Sequence, residues 1–430
     1  VWLLLAPRDY LSTFLKIGTI VGLAIGILIM RPTLTMPALT KFVDGTGPVW
    51  TGNLFPFLFI TIACGAVSGF HALISSGTTP KMLANESQAC FIGYGGMLME
   101  SFVAIMALVA ACIIDPGVYF AMNSPMAVLA PAGTTDVVAS AAQVVSGWGF
   151  SITPDTLHQI ASEVGEQSII SRAGGAPTLA VGMAYILHGS LGGLMDVSFW
   201  YHFAILFEAL FILTAVDAGT RAARFMLQDL LGVISPGLKK TSSLPANLLA
   251  TALCVLAWGY FLHQGVVDPL GGINTLWPLF GIANQMLAGM ALMLCAVVLF
   301  KMKRQRYAWV ALLPTSWLLI CTLTAGWQKS FSPDTKVGFL AIANKFQAMI
   351  DSGNIPPQYT ESQLAQLVFN NRLDAGLTIF FMIVVVVLAL FSIKTALAAL
   401  KEDKPTAKET PYEPMPENLD AIETQAKGAH

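Results

Sequence analysis

Cys64, Ser68, His71 and Ser75 recur at steps of four, three and four in an otherwise apolar stretch. On a helix this spacing gathers them into one polar stripe. A histidine gains and loses a proton near neutral pH, so His71 is suited to coupling proton movement to another event; a plain hydrogen bond across a helix interface is the structural alternative. Ser75-Ser76-Gly77-Thr78-Thr79-Pro80-Lys81 follows directly. Pro80 lacks an amide proton and drives Thr79 away from helical geometry, so a helix break is expected here. Freed backbone groups and the hydroxyls of Ser68, Ser75, Ser76, Thr78 and Thr79 would then be available to a solute or ion.

Two carboxylates stand inside apolar runs. Glu100 has Gly96 and Ala104 on its own face, and Glu208 has Tyr201 seven residues before it as a possible hydrogen-bond donor. A charge at bilayer depth costs several kcal/mol unless it is paired or wetted, so both must face protein or a cavity, and either can carry a proton. Asn284 and Gln285 lie in a further apolar run in which Gly281, Gln285 and Gly289 share a face. Amides in such settings act either as helix glue or as substrate contacts. Asp217 and Arg221, four apart, suit an ion pair within one helix. His188 and His202 are weaker candidates, the first in a glycine-rich piece and the second in an aromatic belt beside Trp200 and Tyr201.

Other chemistries find no support. The six cysteines lie singly, with no CxxC and no cysteine–histidine cluster, and read as small hydrophobes rather than disulfides or metal ligands. The motifs GxxxxGK[ST], HExxH and GxSxG are missing, so neither a nucleotide-driven nor a hydrolytic activity is expected, and no cofactor or metal. The net charge of −2 gives no sign of nucleic-acid binding.

The elements that must position these residues are membrane helices. Of 430 residues, 55% are hydrophobic and 11% charged, with mean hydropathy +0.67, against about 25% charged in soluble proteins. Pro245–Val267, Pro269–Phe300, Tyr307–Gln328 and Ala375–Ile393 carry no charge at all. Each approaches or exceeds the roughly 20 residues that cross a bilayer as a helix. The sequence predicts an all-α polytopic bundle of about eight or nine hydrophobic helices within residues 1–399, at about 11–30, 54–74, 89–114, 178–194, 197–217, 246–264, 277–300, 307–326 and 376–399. Gly18, Gly22 and Gly26 give the first span a smooth face for a close neighbour. Val1–Ala6 reads as the tail of a cut helix, hence the expectation of an N-terminally truncated piece.

Basic residues orient the spans. Arg221, Arg224, Lys239 and Lys240 put residues 218–245 in the cytoplasm; Lys301, Lys303, Arg304 and Arg306 do the same for the next basic loop, as do Lys401, Lys404 and Lys408 for a disordered tail over 400–430. Residues 115–177, acidic except for Arg172, read as a periplasmic insert of short helices. Parity then requires that 178–194, interrupted by Gly182, Gly189, Gly192 and Gly193, fail to cross, or that an extra span lie undetected.

At SGFHALISSGTTPKML (Ser68 to Leu83) the chain resembles the carbon starvation protein A family. APRDYLSTFLKIG from Ala6, AGGAPTLAVGMA from Ala173, LFEALFILTAVDAGTRAARF from Leu206 and LWPLFGIANQMLAG from Leu276 carry the same likeness, over essentially the whole chain. The resemblance implies an inner-membrane protein linked to peptide uptake during carbon starvation, with a pyruvate–proton symporter among the relatives. It also implies a transporter fold of inverted repeats with discontinuous helices, and an N-terminal third or more that this chain lacks. Three functions are therefore carried forward: a proton-coupled peptide transporter, a symporter for pyruvate or a similar monocarboxylate, and a passive channel or non-transporting stress protein. The expected partners are membrane lipid, a small solute and a proton; the oligomeric state is open.

Overall fold

The computed structural model describes residues 5–49, 51–62, 65, 67–83, 85–131, 134–240, 243–267, 272–356 and 359–407. Regular structure among them is helical throughout. In chain order the helices are α1 (Leu5–Met30), α2 (Leu54–Thr61), α3 (Gly69–Gly77), α4 (Gln88–Cys112), α5 (Pro116–Asn123), α6 (Met126–Leu129), α7 (Val137–Gly147) and α8 (Pro154–Val164). They continue with α9 (Gly175–Ser190), α10 (Val197–Ile234), α11 (Leu244–Val267), α12 (Gly272–Lys301), α13 (Trp309–Phe331), α14 (Phe339–Asp351) and α15 (Glu361–Lys401). Seven of these, α1, α4, α10, α11, α12, α13 and α15, are long and apolar enough to cross a membrane. Their outward faces expose large apolar side chains such as Leu28, Phe91, Leu108, Leu256 and Phe391, the surface that hydrocarbon covers.

The helices pack as two groups. In the first, α9 lies against α1, α4 and α10. Its core joins Ile20 and Leu23 of α1, Ala110 of α4, Ala180 to Ala184 of α9 and Ala204 and Phe207 of α10 to the short helices α5, α7 and α8. Those short helices start where the sequence supplies caps: Asp115 accepts from the Gly117 and Val118 amides, Asp136 from Val138 and Ala139, and Thr153 from Thr156. Buried Asn123 ties them to α9 through the Thr178 hydroxyl (3.0 Å) and the Gly174 amide (3.2 Å). In the second group α12 packs on α15, α13 and α2, with Phe57, Ile60, Ile282, Met286, Ala325 and Val385 in its core. Helices α3 and α11 each touch both α10 and α12 and so join the groups.

Contacts between helix ends sort the loops onto two sides. The Thr35 amide donates to the Cys112 carbonyl (2.8 Å), and the Thr51 hydroxyl to that of Lys336 (2.8 Å). On the other side Gly77 meets Ala222, the Lys303 ammonium donates to the Ala399 carbonyl (2.7 Å), and the Thr406 amide to that of Lys301 (3.0 Å). The described basic residues used above for orientation, from Arg221 to Lys404, fall on this second side.

Several expectations change. The span expected over 54–74 is interrupted: α2 ends at Thr61, α3 begins at Gly69, and of the described residues between them Ile62, Val67 and Ser68 are non-helical. Ser68 and Gly69, where α3 begins, are poorer helix formers than alanine or leucine, and α12 supplies hydrogen bonds beside them at Phe70 and Phe59. The span ending near 217 instead continues to Ile234, since nothing before Pro236 stops it. The last span starts at Glu361, where a capping box between Thr360 and Gln363 fixes its first turn. Glycines 182 and 189 lie within the continuous helix α9, which ends at Ser190 and is followed by Gly192 and Gly193, both left-handed (φ +62 and +75). At 16 residues, or about 24 Å, α9 is shorter than the ~30 Å hydrocarbon core. Of the three glycines in α1 only Gly26 meets a neighbour, the side chains of Ile186 and Ser190. Residues 402–407 are tied to α12, and the tail from Lys408 onward lies outside the described residues.

Candidate functional site

The broken segment is held by the two adjacent amides of α12. Asn284 Oδ1 accepts from the Phe70 amide (2.9 Å) in the first turn of α3, and Gln285 Nε2 donates to the Phe59 carbonyl in the last turn of α2. Ending a helix inside a membrane leaves amides and carbonyls without partners, and here one side-chain amide answers each end. Close approach makes this geometry available. A Cβ on Gly69 would sit 2.1 Å from the Asn284 carbonyl oxygen, and one on Gly281 would sit 2.6 Å from that of Ile60. Asn284 and Gln285 are 4% and 2% exposed, yet Asn284 Nδ2 and Gln285 Oε1 have no hydrogen-bond partner among the described residues. One spare donor and one spare acceptor therefore sit at the break, an arrangement that calls for a ligand or water.

In the same first turn of α3, His71 Nε2 lies 3.1 Å from Glu100 Oε2, midway along α4. The two side chains are 56% and 41% exposed, so the pair is open rather than sealed in a core. At membrane depth such a pair needs water or further protein beside it. Two residues singled out separately in the sequence thus meet in one contact. Ser68 occupies the N-cap position of α3 without a side-chain capping bond, whereas Cys64 lies outside the described residues.

The hydroxyls after His71 turn back on their own helix. Ser75 and Ser76 donate to the Ala72 carbonyl (3.1 and 2.8 Å), and Thr78 and Thr79 to that of Ile74 (3.1 and 3.2 Å). The expected break at 75–81 is present, as a 3₁₀ turn over Thr79–Lys81, but these hydroxyls cap it locally.

Glu208 is half-buried and, among the described residues, makes no hydrogen bond or ion pair. Tyr201 does not serve it: seven residues are about 10.5 Å along a helix, beyond a hydrogen bond. Arg221 and Asp217 form the expected i,i+4 pair at 2.6 Å. His188 Nδ1 contacts the Met195 carbonyl and His202 Nδ1 that of Ser198, both at 2.8 Å and both local.

Sequence reasoning missed two ionisable residues. Lys329 near the end of α13 and Asp374 in α15 are 5% and 3% exposed. They flank the seam where Gly326 meets Thr378 and Met382, and the Lys329 ammonium lies over the rings of Phe57 (5.2 Å) and Phe339 (5.9 Å). The signal was a charge one residue outside each charge-free run, read as a boundary rather than as a buried group.

The family model "Carbon starvation protein CstA" matches residues 1–325. The chain is 94% identical over 430 residues to the peptide transporter CstA of Escherichia coli K12, covering all of this chain and 61% of that protein. It is 59% identical over 435 residues to the pyruvate/proton symporter BtsT of the same organism, across 97% of this chain and 61% of that protein. With the peptide transporter CstA of Mycobacterium tuberculosis H37Rv it shares 51% identity over 421 residues, 94% of this chain and 55% of the relative. The chain thus spans about three fifths of the length of the curated relatives it matches. No solved structure matches it.

Proposed function

We propose that this chain, which belongs to the carbon starvation protein CstA family, is the membrane-embedded part of a secondary transporter that takes up short peptides together with protons during carbon starvation. It is a multi-pass protein of the bacterial inner membrane. The observation that carries the reading is the His71–Glu100 contact in the first turn after a helix break with spare buried amide atoms. A proton enters at His71 and Glu100, or at Glu208, and the solute occupies the break between α2 and α3. The N-terminal amides of α3 and Asn284 Nδ2 favour a carboxylate there, as helix N-termini do. Ser68, Ser75, Ser76, Thr78 and Thr79 contribute through their remaining acceptor capacity, and Gln285 through Oε1.

The broken α2–α3 segment supports a fold with discontinuous helices, and the family likeness extends this to inverted repeats. The clustering of Arg221, Arg224, Lys239, Lys240, Lys301 and Lys303 on one side supports a cytoplasmic placement for it. Residues 115–177 are then a periplasmic insert, and the chain from 400 onward a cytoplasmic tail to the 1–399 transport region.

Proteoliposomes with an acid-outside pH gradient test this. Labelled dipeptide should accumulate above equilibrium and acidify the lumen. His71→Ala and Glu100→Gln should abolish the accumulation while leaving downhill exchange; coupling that persists in both variants removes the pair from the mechanism. Identity to the pyruvate/proton symporter supports the second reading, in which pyruvate accumulates and dipeptide does not. Flux indifferent to the gradient would mark a channel.

A further inference from the structure

A cavity of about 560 Å³ opens between the loop before α2 and the turn joining α13 to α14, on the side opposite the basic loops and apart from the helix break. Its size falls within the roughly 300–1,000 Å³ of small-molecule sites. The walls carry Asp44 and Asp334, the rings of Trp327 and Phe331 at 4.6 Å between centroids, the face of Phe57, and Lys336.

The walls are built rigidly. Asp44 Oδ1 accepts from the Thr46 hydroxyl (2.7 Å) and amide (2.9 Å), and Asp334 Oδ1 accepts from the Lys336 amide (2.8 Å). The hydroxyl bond first, then the amide bond, holds the Asp44 carboxyl below its ordinary range, so it stays ionised. The Thr51 hydroxyl fastens one wall to the other through the Lys336 carbonyl (2.8 Å). Gly52 (φ +123) lets the Phe57 ring pack onto the backbone, since a Cβ there would sit 2.3 Å from the ring. Each turn occupies one carboxylate oxygen, leaving the other without a hydrogen bond or an ion pair within 4 Å among the described residues, while Lys41 and Lys329 act on Asp44 and Asp334 only at longer range. Two fixed carboxylates beside an open indole, 63% exposed, make a receptor for an organic ammonium ion, joined by Coulomb attraction and a cation–π contact. Lys336 adds the opposite charge at the same rim, matching a zwitterion rather than a lone monocarboxylate.

We propose that this cavity is an entry site that recognises the free amino end of a short peptide before the peptide reaches the membrane interior, with Asp44, Asp334 and Trp327 holding the ammonium group. The assignment rests on the peptide reading above. Calorimetry on the purified chain in lipid nanodiscs tests it with alanyl-alanine, its N-acetyl derivative and pyruvate as probes. Alanyl-alanine should bind at least about tenfold more tightly than N-acetyl-alanyl-alanine, each lost charge-assisted bond being worth about that factor. Asp44→Asn together with Asp334→Asn should erase the difference; both side chains are at the surface, and unchanged circular dichroism and elution would verify folding. Trp327→Leu should weaken only the free-amine probe. Equal affinity for the two peptides, no measurable binding of alanyl-alanine, or a preference that survives in the double variant would each overturn the site. The peptide-transport reading fails separately, if proteoliposomes accumulate pyruvate but not alanyl-alanine whatever the calorimetry shows.

Discussion

At the scale of single residues, the structure turns independent candidates into partners. His71 and Glu100 were each placed by sequence inside an apolar run, but nothing in their spacing announces that they touch, because they stand on different helices 29 positions apart. Tyr185 of α9 and Glu163 of α8 are a second such pair, the phenol donating to the carboxylate at 2.5 Å. Burial first, then that hydrogen bond and the carboxylate charge, raise the Tyr185 pKa above its ordinary value. The neutral phenol is therefore stabilised by folding, fully so below the ordinary tyrosine pKa of about 10. Above it the unfolded chain loses the proton first, and stability falls with rising pH. Thermal melts at pH 8 and pH 11 should show a larger drop for the wild-type chain than for Tyr185→Phe; equal drops would mean that the phenol does not report on folding.

At the scale of elements, the break between α2 and α3 depends on a third helix. Substituting Gln285 by Leu leaves the Phe59 carbonyl without its donor, a loss of about 1–3 kcal/mol. Gly69→Ala forces a methyl group against the Asn284 carbonyl, with about 1–3 kcal/mol of overpacking. Both should lower the melting temperature in detergent, and Gly93→Ala, whose Cβ would meet nothing within 4 Å, should not. Indistinguishable melts for all three would show that α12 does not staple the break. The helix caps at Asp115, Asp136, Thr153 and Thr360 act within four residues, so they depend on local sequence alone. The glycines of α9 were misread, since Gly182 admits the Ala110 carbonyl of α4 instead of bending its own helix.

At the scale of the whole molecule, the orientation proposed above has a direct test. A cysteine-free background carrying Thr46→Cys or Asp136→Cys should label with a membrane-impermeant maleimide in intact cells. Lys239→Cys or Lys404→Cys should label only after permeabilisation. Labelling of Lys239→Cys in intact cells would reverse the orientation. The same labelling decides the path of α9: if it stays on the outer side, positions 172 and 196 are both reached from outside.

The membrane class, most span positions and the sidedness argument follow from sequence alone. Hydrocarbon rejects charge residue by residue, so the exclusion is written locally as long runs without Asp, Glu, Lys or Arg. The pairing of His71 with Glu100, the stapling by Asn284 and Gln285, the burial of Lys329 and Asp374 and the cavity between two distant loops required the tertiary structure. Each is a contact between segments far apart in the chain, set by which helix faces meet. Helical period determines what shares a face, whereas packing determines what that face opposes.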